Sequence, residues 1–590
     1  MFRPPLSALH FFLPFALLAA ASAQETVIHQ VTDPKTNTAV DVVAMFTRPA
    51  PRGYLPLRVT MANHEMTAKS VTLSITSATG SYGESGSKLT SSFYFDSPAD
   101  KVTEHDILVP LITVVGTGYT SGSRVTIEMS GSYGGSSGAL SQDFSGDQPA
   151  VLLSEKLYTP NASSLDAEVS GHAGSYRGGA GQFSAKFDAK LMPDDWRAYS
   201  GYDSLLITEP EWTAALPGAR SAIIAWVRMG GQLVVYSQGG TLSSMGIPSD
   251  ASSGSVVIKP IDSTTLDAKS TVQLVTTSHG VPLQQKALRE DFSNVRGLWP
   301  LQVAFGSRGF NYAVFIVILI AFGVVVGPVN LFVFAKSGRR HRLFITTPLI
   351  SLAASLLLIA LILLQDGFGG KGVRRVLMEV RPDNSENAAY IHQEQFSRTG
   401  VLTGAHFTLT DSASMSPVPI DGDNRWARLT IANGGNGSGY SADFHDGKLE
   451  TSGDWFQSRS EQGHILDAVV PTRGRIERTT PAGSPQLLST FDFPLQTLFY
   501  HDSANQWWRA DNVQPGTRFE PVAVGEELVK PVLDAEGRAF GERNRACFEI
   551  LRKRQSAFVA LTKAAPGVET YSGIKWSETT TVITGPVITP

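Results

Sequence analysis

The sequence predicts a multidomain, β-rich chain: a β-sandwich, a small doubly wound α/β domain, two transmembrane helices and a second mainly β region. Three observations carry that prediction. The chain has 590 residues, about four times an ordinary single domain, so one core cannot hold it. Short runs of alternating apolar and polar residues, broken by Gly, Ser and Pro, fill both ends. Between them lie two apolar runs, 312–335 and 343–364, each reaching the roughly 20 residues that cross a bilayer.

Composition narrows the function classes. With 42% hydrophobic residues the chain can bury cores, which excludes wholesale disorder. Its 49 basic residues against 53 acidic ones give a net charge of −4, so no field attracts a polyanion and no nucleic acid is expected as a partner. A single cysteine, Cys547, leaves no disulfide framework and no cysteine-based metal cluster.

The elements follow in order. Arg3, the apolar run 11–20 and Ala21-Ser22-Ala23 form a signal peptide over 1–23. Residues 24–147 read as an exported β-sandwich, with strand patterns at 55–61, 71–75, 93–95, 107–112 and 125–129 and a Gly/Ser-rich strand connection or linker over 131–146. Residues 148–285 read as the α/β domain. Strand signals fall at 151–153, 183–191, 204–208 and 233–236, and the stripe Ala219, Ile223, Trp226 and Val227 marks a helix that starts at Pro217 and stops at Gly230-Gly231. A juxtamembrane segment, 286–311, leads to the first span, 312–335. The loop 336–342 carries Lys336, Arg339, Arg340 and Arg342, and short basic loops stay in the cytoplasm. With the second span at 343–364, both ends of the hairpin then face outward. Residues 365–590 form an exported, mainly β region with strands expected at 376–380, 406–409, 426–431, 488–493 and 548–552 and one or two short helices.

The segment Tyr202-Asp203-Ser204-Leu205-Leu206-Ile207-Thr208, the helix after it, and Gly230-Gly231-Gln232-Leu233-Val234-Val235 resemble the core of the class I glutamine amidotransferase-like fold of exported bacterial proteins. Gly327-Pro328-Val329-Asn330-Leu331, followed by a basic loop and a second span, is similar to the hairpin of a largely uncharacterised bacterial envelope family that carries such a domain. The resemblance implies an architecture and little chemistry. True amidotransferases use a cysteine nucleophile, and residues 148–285 contain no cysteine.

Other constellations are sparse. Ser237 follows a strand without the preceding glycine of a nucleophile elbow. Asp194-Asp195 and Glu209-Pro210-Glu211 stand near strand ends, either as site carboxylates or as solvated charges at helix starts. No His-x-x-x-His spacing builds a zinc site, and the Gly178–Gly181 run lacks the ending of a phosphate loop, so no metal and no cofactor is expected. Sequons at Asn161 and Asn436 matter only in a eukaryotic secretory pathway. In the first span, Pro328 and Asn330 mark either a kink whose asparagine bonds the second span or another subunit, or an asparagine solvated near the inner interface.

The expected function is a non-enzymatic protein of the bacterial inner membrane, with large periplasmic or extracellular regions that bind an envelope partner or ligand in a membrane complex. The lipid bilayer is its first partner. Two alternatives stand beside it: a hydrolase using carboxylates of the α/β domain, and an accessory subunit of a transport or secretion assembly. The expected ligand edge gathers Glu155, Glu209, Glu211, Ser237 and Gln238 from three strand ends.

Overall fold

The computed structural model describes residues 26–589 except 34, 81–86, 113–120, 145–148, 173–183, 277–298, 307–311, 335–336, 382–386, 403, 411–412, 419, 421–437, 446–447, 481–482, 541 and 565–566. The signal peptide over 1–23, Lys336, the Gly178–Gly181 run, the strand expected at 426–431 and Asn436 lie outside the described residues.

The first eight strands are β1 (Thr26–Asp33), β2 (Thr38–Ala44), β3 (Gly53–Asn63), β4 (Lys69–Gly80), β5 (Lys88–Ser97), β6 (Lys101–Leu111), β7 (Ser121–Gly131) and β8 (Ser136–Phe144). β1-β2-β3-β6 form one antiparallel sheet, and β5-β4-β7-β8 lie side by side in a second. Alternation decides what each buries. Leu55, Leu57, Val59 and Met61 of β3 share a core with Val71, Leu73 and Ile75 of β4 and Val125 and Ile127 of β7. The Gly/Ser-rich stretch read as a strand connection or linker is instead largely the edge strand β8. Gly131 and Gly134 take positive φ (116° and 89°) in the turn, and β8 then pairs along β7 from Met129↔Ser136 to Ser121↔Phe144. An edge strand needs backbone partners on one side only, so a composition poor in β-formers suffices.

The parallel sheet comes next, with β9 (Val151–Ser154), β10 (Ser184–Phe187), β11 (Ser204–Thr208), β12 (Gln232–Ser237) and β13 (Ser255–Pro260) in the order β10-β9-β11-β12-β13. Helices cover both faces. α1 (Glu155–His172) follows β9, α2 (Glu209–Ala214) and α3 (Pro217–Arg228) join β11 to β12, and α4 (Ala268–Thr276) follows β13. Leu206 and Val234 face Leu157 and Leu165 of α1 and Val275 of α4. The alternate residues Leu205, Ile207, Leu233 and Val235 face Ala219, Ile223 and Trp226 of α3. Gly231 is required where α3 stops, because a Cβ there would lie 2.3 Å from the Trp226 ring.

A short helix, α5 (Pro300–Phe305), precedes the hairpin of α6 (Tyr312–Val324), continued as a π-helix over Val325–Phe334, and α7 (Leu343–Asp366). Both long helices are apolar enough to cross a membrane and expose nearly all their side chains.

The carboxy-terminal region runs β14 (Gly370–Arg381), β15 (Ala388–Thr399), β16 (Phe407–Thr410), β17 (Ala413–Val418), β18 (Gly439–His445), β19 (Lys448–Gly453), β20 (Glu461–Pro471), β21 (Ile476–Arg478), β22 (Leu487–Ser489), β23 (Leu495–His501), β24 (Trp507–Val513), β25 (Arg518–Phe519) and β26 (Val522–Val524). Helices α8 (Glu526–Ala539) and α9 (Glu542–Lys553) and strands β27 (Ala557–Thr562) and β28 (Ile574–Ile588) complete it. The strand expected at 548–552 is the end of α9, whose Phe548 and Leu551 pack against Val529 and Leu533 of α8. Of 488–493, only Leu488 and Ser489 are strand, at the end of β22.

Most of these strands form a twelve-stranded sheet, but β16, β19 and β18 do not. They continue the amino-terminal sheet, giving the order β16-β19-β18-β5-β4-β7-β8, with Gly439↔Lys88, Tyr440↔Leu89 and Ser441↔Thr90 paired in parallel. The amino-terminal sheet is therefore completed by strands that follow the hairpin in sequence. The α/β domain is fastened on its other side. Arg381 reaches Asp250 at 2.8 Å and also pairs with Glu379, while Arg554 reaches Glu379 at 3.0 Å. Arg228 lies over the Tyr390 ring, 5.6 Å from its centre.

Burial alone would raise the carboxyls of Glu379 and Asp250, but Arg381 and Arg554 hold both down, Asp250 to about 2. Burial between Trp455 and Phe456 pushes the His464 imidazole down to about 3. The unfolded chain binds more protons in each case, so stability falls as pH falls. The His464 contribution declines from about pH 6.5 downward, and the carboxylate contribution from about pH 4 toward 2. Denaturant unfolding measured from pH 7 to 3 should show both stages, and His464→Gln should flatten only the first. At pH 7, Glu379→Gln should cost about 3 kcal/mol, because it removes the buried carboxylate that Arg381 and Arg554 share and leaves both only the more exposed Asp250.

Candidate functional site at the carboxyl edge of the parallel sheet

Parallel strands leave their carboxyl-end loops free to bind, above all where neighbouring connections run to opposite sides. In the order β10-β9-β11-β12-β13 that point lies between β9 and β11. Glu155 and Glu211 stand there, and Glu209, Ser237 and Gln238 stand one strand further along.

Glu211 closes the first crevice itself. It is 7% exposed and accepts from Ser154 Oγ at the end of β9 (2.6 Å), Thr208 Oγ1 at the end of β11 (2.6 Å), Thr208 N (3.3 Å) and Lys156 N in the first turn of α1 (3.3 Å). The expected loop at 209–211 is the first turn of α2, with Pro210 near its start and Glu211 closing a capping box on Thr208. The carboxylate occupies the place where the dipole of α1 would attract an anion. Glu211 therefore holds two strands together and is not free to bind.

The second group is also internally bonded. Ser237 Oγ donates to Glu209 Oε2 at 2.5 Å and accepts from Gly239 N at 3.1 Å and Gly240 N at 2.6 Å. Its proton goes to Glu209 at the end of β11 and its lone pairs to the turn after β12, so the hydroxyl ties the two strand ends together and its lone pairs are engaged by backbone N–H groups. A Cβ at Gly240 would meet Glu209 Oε1 at 2.6 Å, so a larger residue there would push the Glu209 carboxylate off Ser237. Gln238 is exposed beside this turn, and Glu155 is half-buried with Lys186 Nζ at 3.5 Å. The structure thus brings all five residues to one edge and bonds Glu209, Glu211 and Ser237 into it.

Asp195 bonds Arg197 with both oxygens and caps the turn Trp196–Tyr199. Asn161 is wholly buried, accepts from Leu266 N and donates to Leu157 O and Thr264 O, each at 2.7 Å, so its sequon is closed to glycosylation. In the hairpin, Asn330 is buried and donates to Thr347 Oγ1 of α7 at 2.9 Å, which selects the bond to the second span. Pro328 lies in the π-helical stretch beside it, and Arg339, Arg340 and Arg342 are exposed in the loop.

Sequence reasoning missed two features. The network of Asp250, Glu379, Arg381 and Arg554 joins residues scattered along the chain, with no local signal. A cavity of about 760 Å³, lined by Met378, Ile391, Val470, Phe491 and Val568, lies against the twelve-stranded sheet. Its lining reads in sequence as ordinary strand core. Among the described residues no group of three or more His, Cys, Asp or Glu is placed to hold a metal.

No family model matches the chain, and no curated protein matches it. Solved structures show remote likeness. The yeast delta-COP-I mu-homology domain, complexed with a WxWxV peptide, is 9% identical over 38% of this chain and 98% of that one, with a TM-score of 0.16. A calcium-binding mutant of Bacteroides uniformis beta-glucuronidase 2 is 11% identical over 33% and 23%, with a TM-score of 0.13. A Paenibacillus cycloisomaltooligosaccharide glucanotransferase with cycloisomaltoheptaose is 8% identical over 75% and 70%, with a TM-score of 0.15. Scores this low carry no argument about fold or function.

The two glutamates should separate under mutation. Glu211→Gln should destabilise the chain by about 2 kcal/mol, because an amide cannot accept all four bonds and charge-assisted bonds are the strong ones. Glu209→Gln should cost less than about 1 kcal/mol, since the amide oxygen still accepts from Ser237. Denaturant unfolding followed by the fluorescence of buried Trp212 would read both.

Proposed function

We propose that the chain is a non-enzymatic, multi-pass protein of the bacterial inner membrane, whose hairpin crosses the bilayer and whose two large regions form one binding body on the outer side. The observation that carries this reading is the pairing of β5 with β18. Those strands precede and follow the hairpin, so the chain must leave and return on the same side of any membrane it crosses. The exposed large hydrophobic residues concentrate on α6 and α7, with Val303 and Phe368 exposed just outside them. Such a surface is stable in lipid and costly in water. The exposed arginines between the helices supply the charge that keeps a short loop in the cytoplasm.

The parallel sheet with helices on both faces supports the resemblance to an exported amidotransferase-like domain, here without a cysteine in residues 148–285. A binding role is favoured over hydrolysis because Ser237, Glu209 and Glu211 are engaged in holding strand ends together.

Reporter fusions at position 285 and after position 400 should both report export, and a fusion at Arg340 a cytoplasmic location. Neutralising Lys336, Arg339, Arg340 and Arg342 together should give mixed orientations in the same assay. A cytoplasmic signal from the carboxy-terminal fusion would overturn the proposal.

A further inference from the structure

A cleft of about 370 Å³ opens where the amino-terminal sheets, the α/β domain and the β18–β19 hairpin meet. That volume falls within the ~300–1,000 Å³ of small-molecule sites. Backbone pairing of β5 with β18 ends at Ser441↔Thr90, but the same register continues through side chains, with Ser92 N donating to Asp443 Oδ1 at 3.1 Å, and Phe93, Tyr94 and Phe95 of β5 line the cleft. The apolar floor comes from Phe93, stacked on Phe444 with ring centres 4.8 Å apart, and Ile107. Tyr94 is 62% exposed at the rim, on the opposite face of β5 from Phe93.

The polar lining is acidic and basic in near balance: Asp106, Asp194 and Asp195 against Arg197 and Lys448. Asp106 is held by Arg58 at 2.8 and 3.0 Å, and Asp195 by Arg197 at 3.0 and 2.6 Å. The Arg58 pair fixes Asp106 and leaves it lone pairs that can accept further hydroxyl protons, whereas both oxygens of Asp195 are already committed to the backbone N and the guanidinium of Arg197. Asp194 is exposed beside them.

Resting on the reading of the chain as a binding protein, we propose that this cleft is a binding site for a neutral saccharide. Aromatic faces carry negative potential and accept the weakly positive C–H face of a sugar ring. Asp106 and Asp194 accept from hydroxyls, while the exposed Lys448 donates to ring or hydroxyl oxygens. A phosphate would meet three carboxylates and a polycation two fixed positive charges, so the lining selects against both.

The full chain in detergent, titrated separately with maltotriose, cellotriose and chitotriose by calorimetry and saturation-transfer NMR, tests the assignment. At least one trisaccharide should bind. Tyr94→Ala should weaken it tenfold or more and Asp194→Asn severalfold, while the distant exposed substitution Val522→Ala leaves it unchanged. Tyr94 and Asp194 are exposed, so both variants should keep the wild-type unfolding curve. No saturation by any of the three at about 10 mM, or binding indifferent to Tyr94→Ala, would overturn the proposal. So would capture of extended peptides along β5 with no saccharide response. The orientation reported by the fusions is independent of every one of these outcomes.

Discussion

Three backbone pairs between β5 and β18 constrain the whole molecule. Side chains reinforce them on either side: Phe93 stacks on Phe444, and Ser92 bonds Asp443 across 351 positions of sequence. The amino-terminal sheet has no β18 neighbour until the chain has passed through the α/β domain, the hairpin and four strands of the carboxy-terminal region. Loop-closure entropy rises only slowly with length, so a connection this long adds little to the equilibrium cost. It does defer completion of the sandwich to a late step, because the partner strand must first be made and delivered to the same side.

The twelve-stranded sheet fixes the hairpin at both ends. After α7 the chain enters β14, which pairs with β15 and, in parallel, with β28. Before α6, Trp299 donates to Glu394 at 2.8 Å, and its ring lies where a Cβ on Gly463 would come within 2.4 Å. Arg398 then donates to Gly306 O at 2.8 Å and lies over the Phe305 ring. Both helices thus spring from neighbouring points on one rigid surface. Asn330, itself buried, bonds Thr347 of the facing helix near the loop end.

How much of this could be read from sequence depended on range. Strand β3 and helix α3 were legible because their apolar periods of two and 3.6 run unbroken through Leu55, Leu57 and Val59 and through Ala219, Ile223 and Trp226. Helix α1 was not. Its stripe of Leu157, Leu165 and Val169 is interrupted at the buried position 161 by an asparagine that bonds another loop, and Pro160 stands beside it. Strand β8 was hidden by glycine and serine, since an edge strand lives on its neighbour's backbone. The residues of the carboxyl edge were found from strand ends alone, but their state was not. Whether Glu211 is free or bonded depends on Ser154, 57 positions away, and no local pattern encodes that distance.

The same long-range bonds explain why the parallel sheet offers so little at its usual binding edge. A carboxylate that replaces a ligand at the switch point satisfies the donors a ligand would need, and does so without a binding equilibrium. Once Ser154, Thr208 and the first turn of α1 are committed to Glu211, and the turn after β12 to Ser237, the domain gains rigidity and loses its recognition surface. Recognition then falls to places where packing is incomplete by geometry. The cleft beside the Phe93–Phe444 stack is such a place, because the amino-terminal sheets, the α/β domain and the β18–β19 hairpin meet there without filling the space between them.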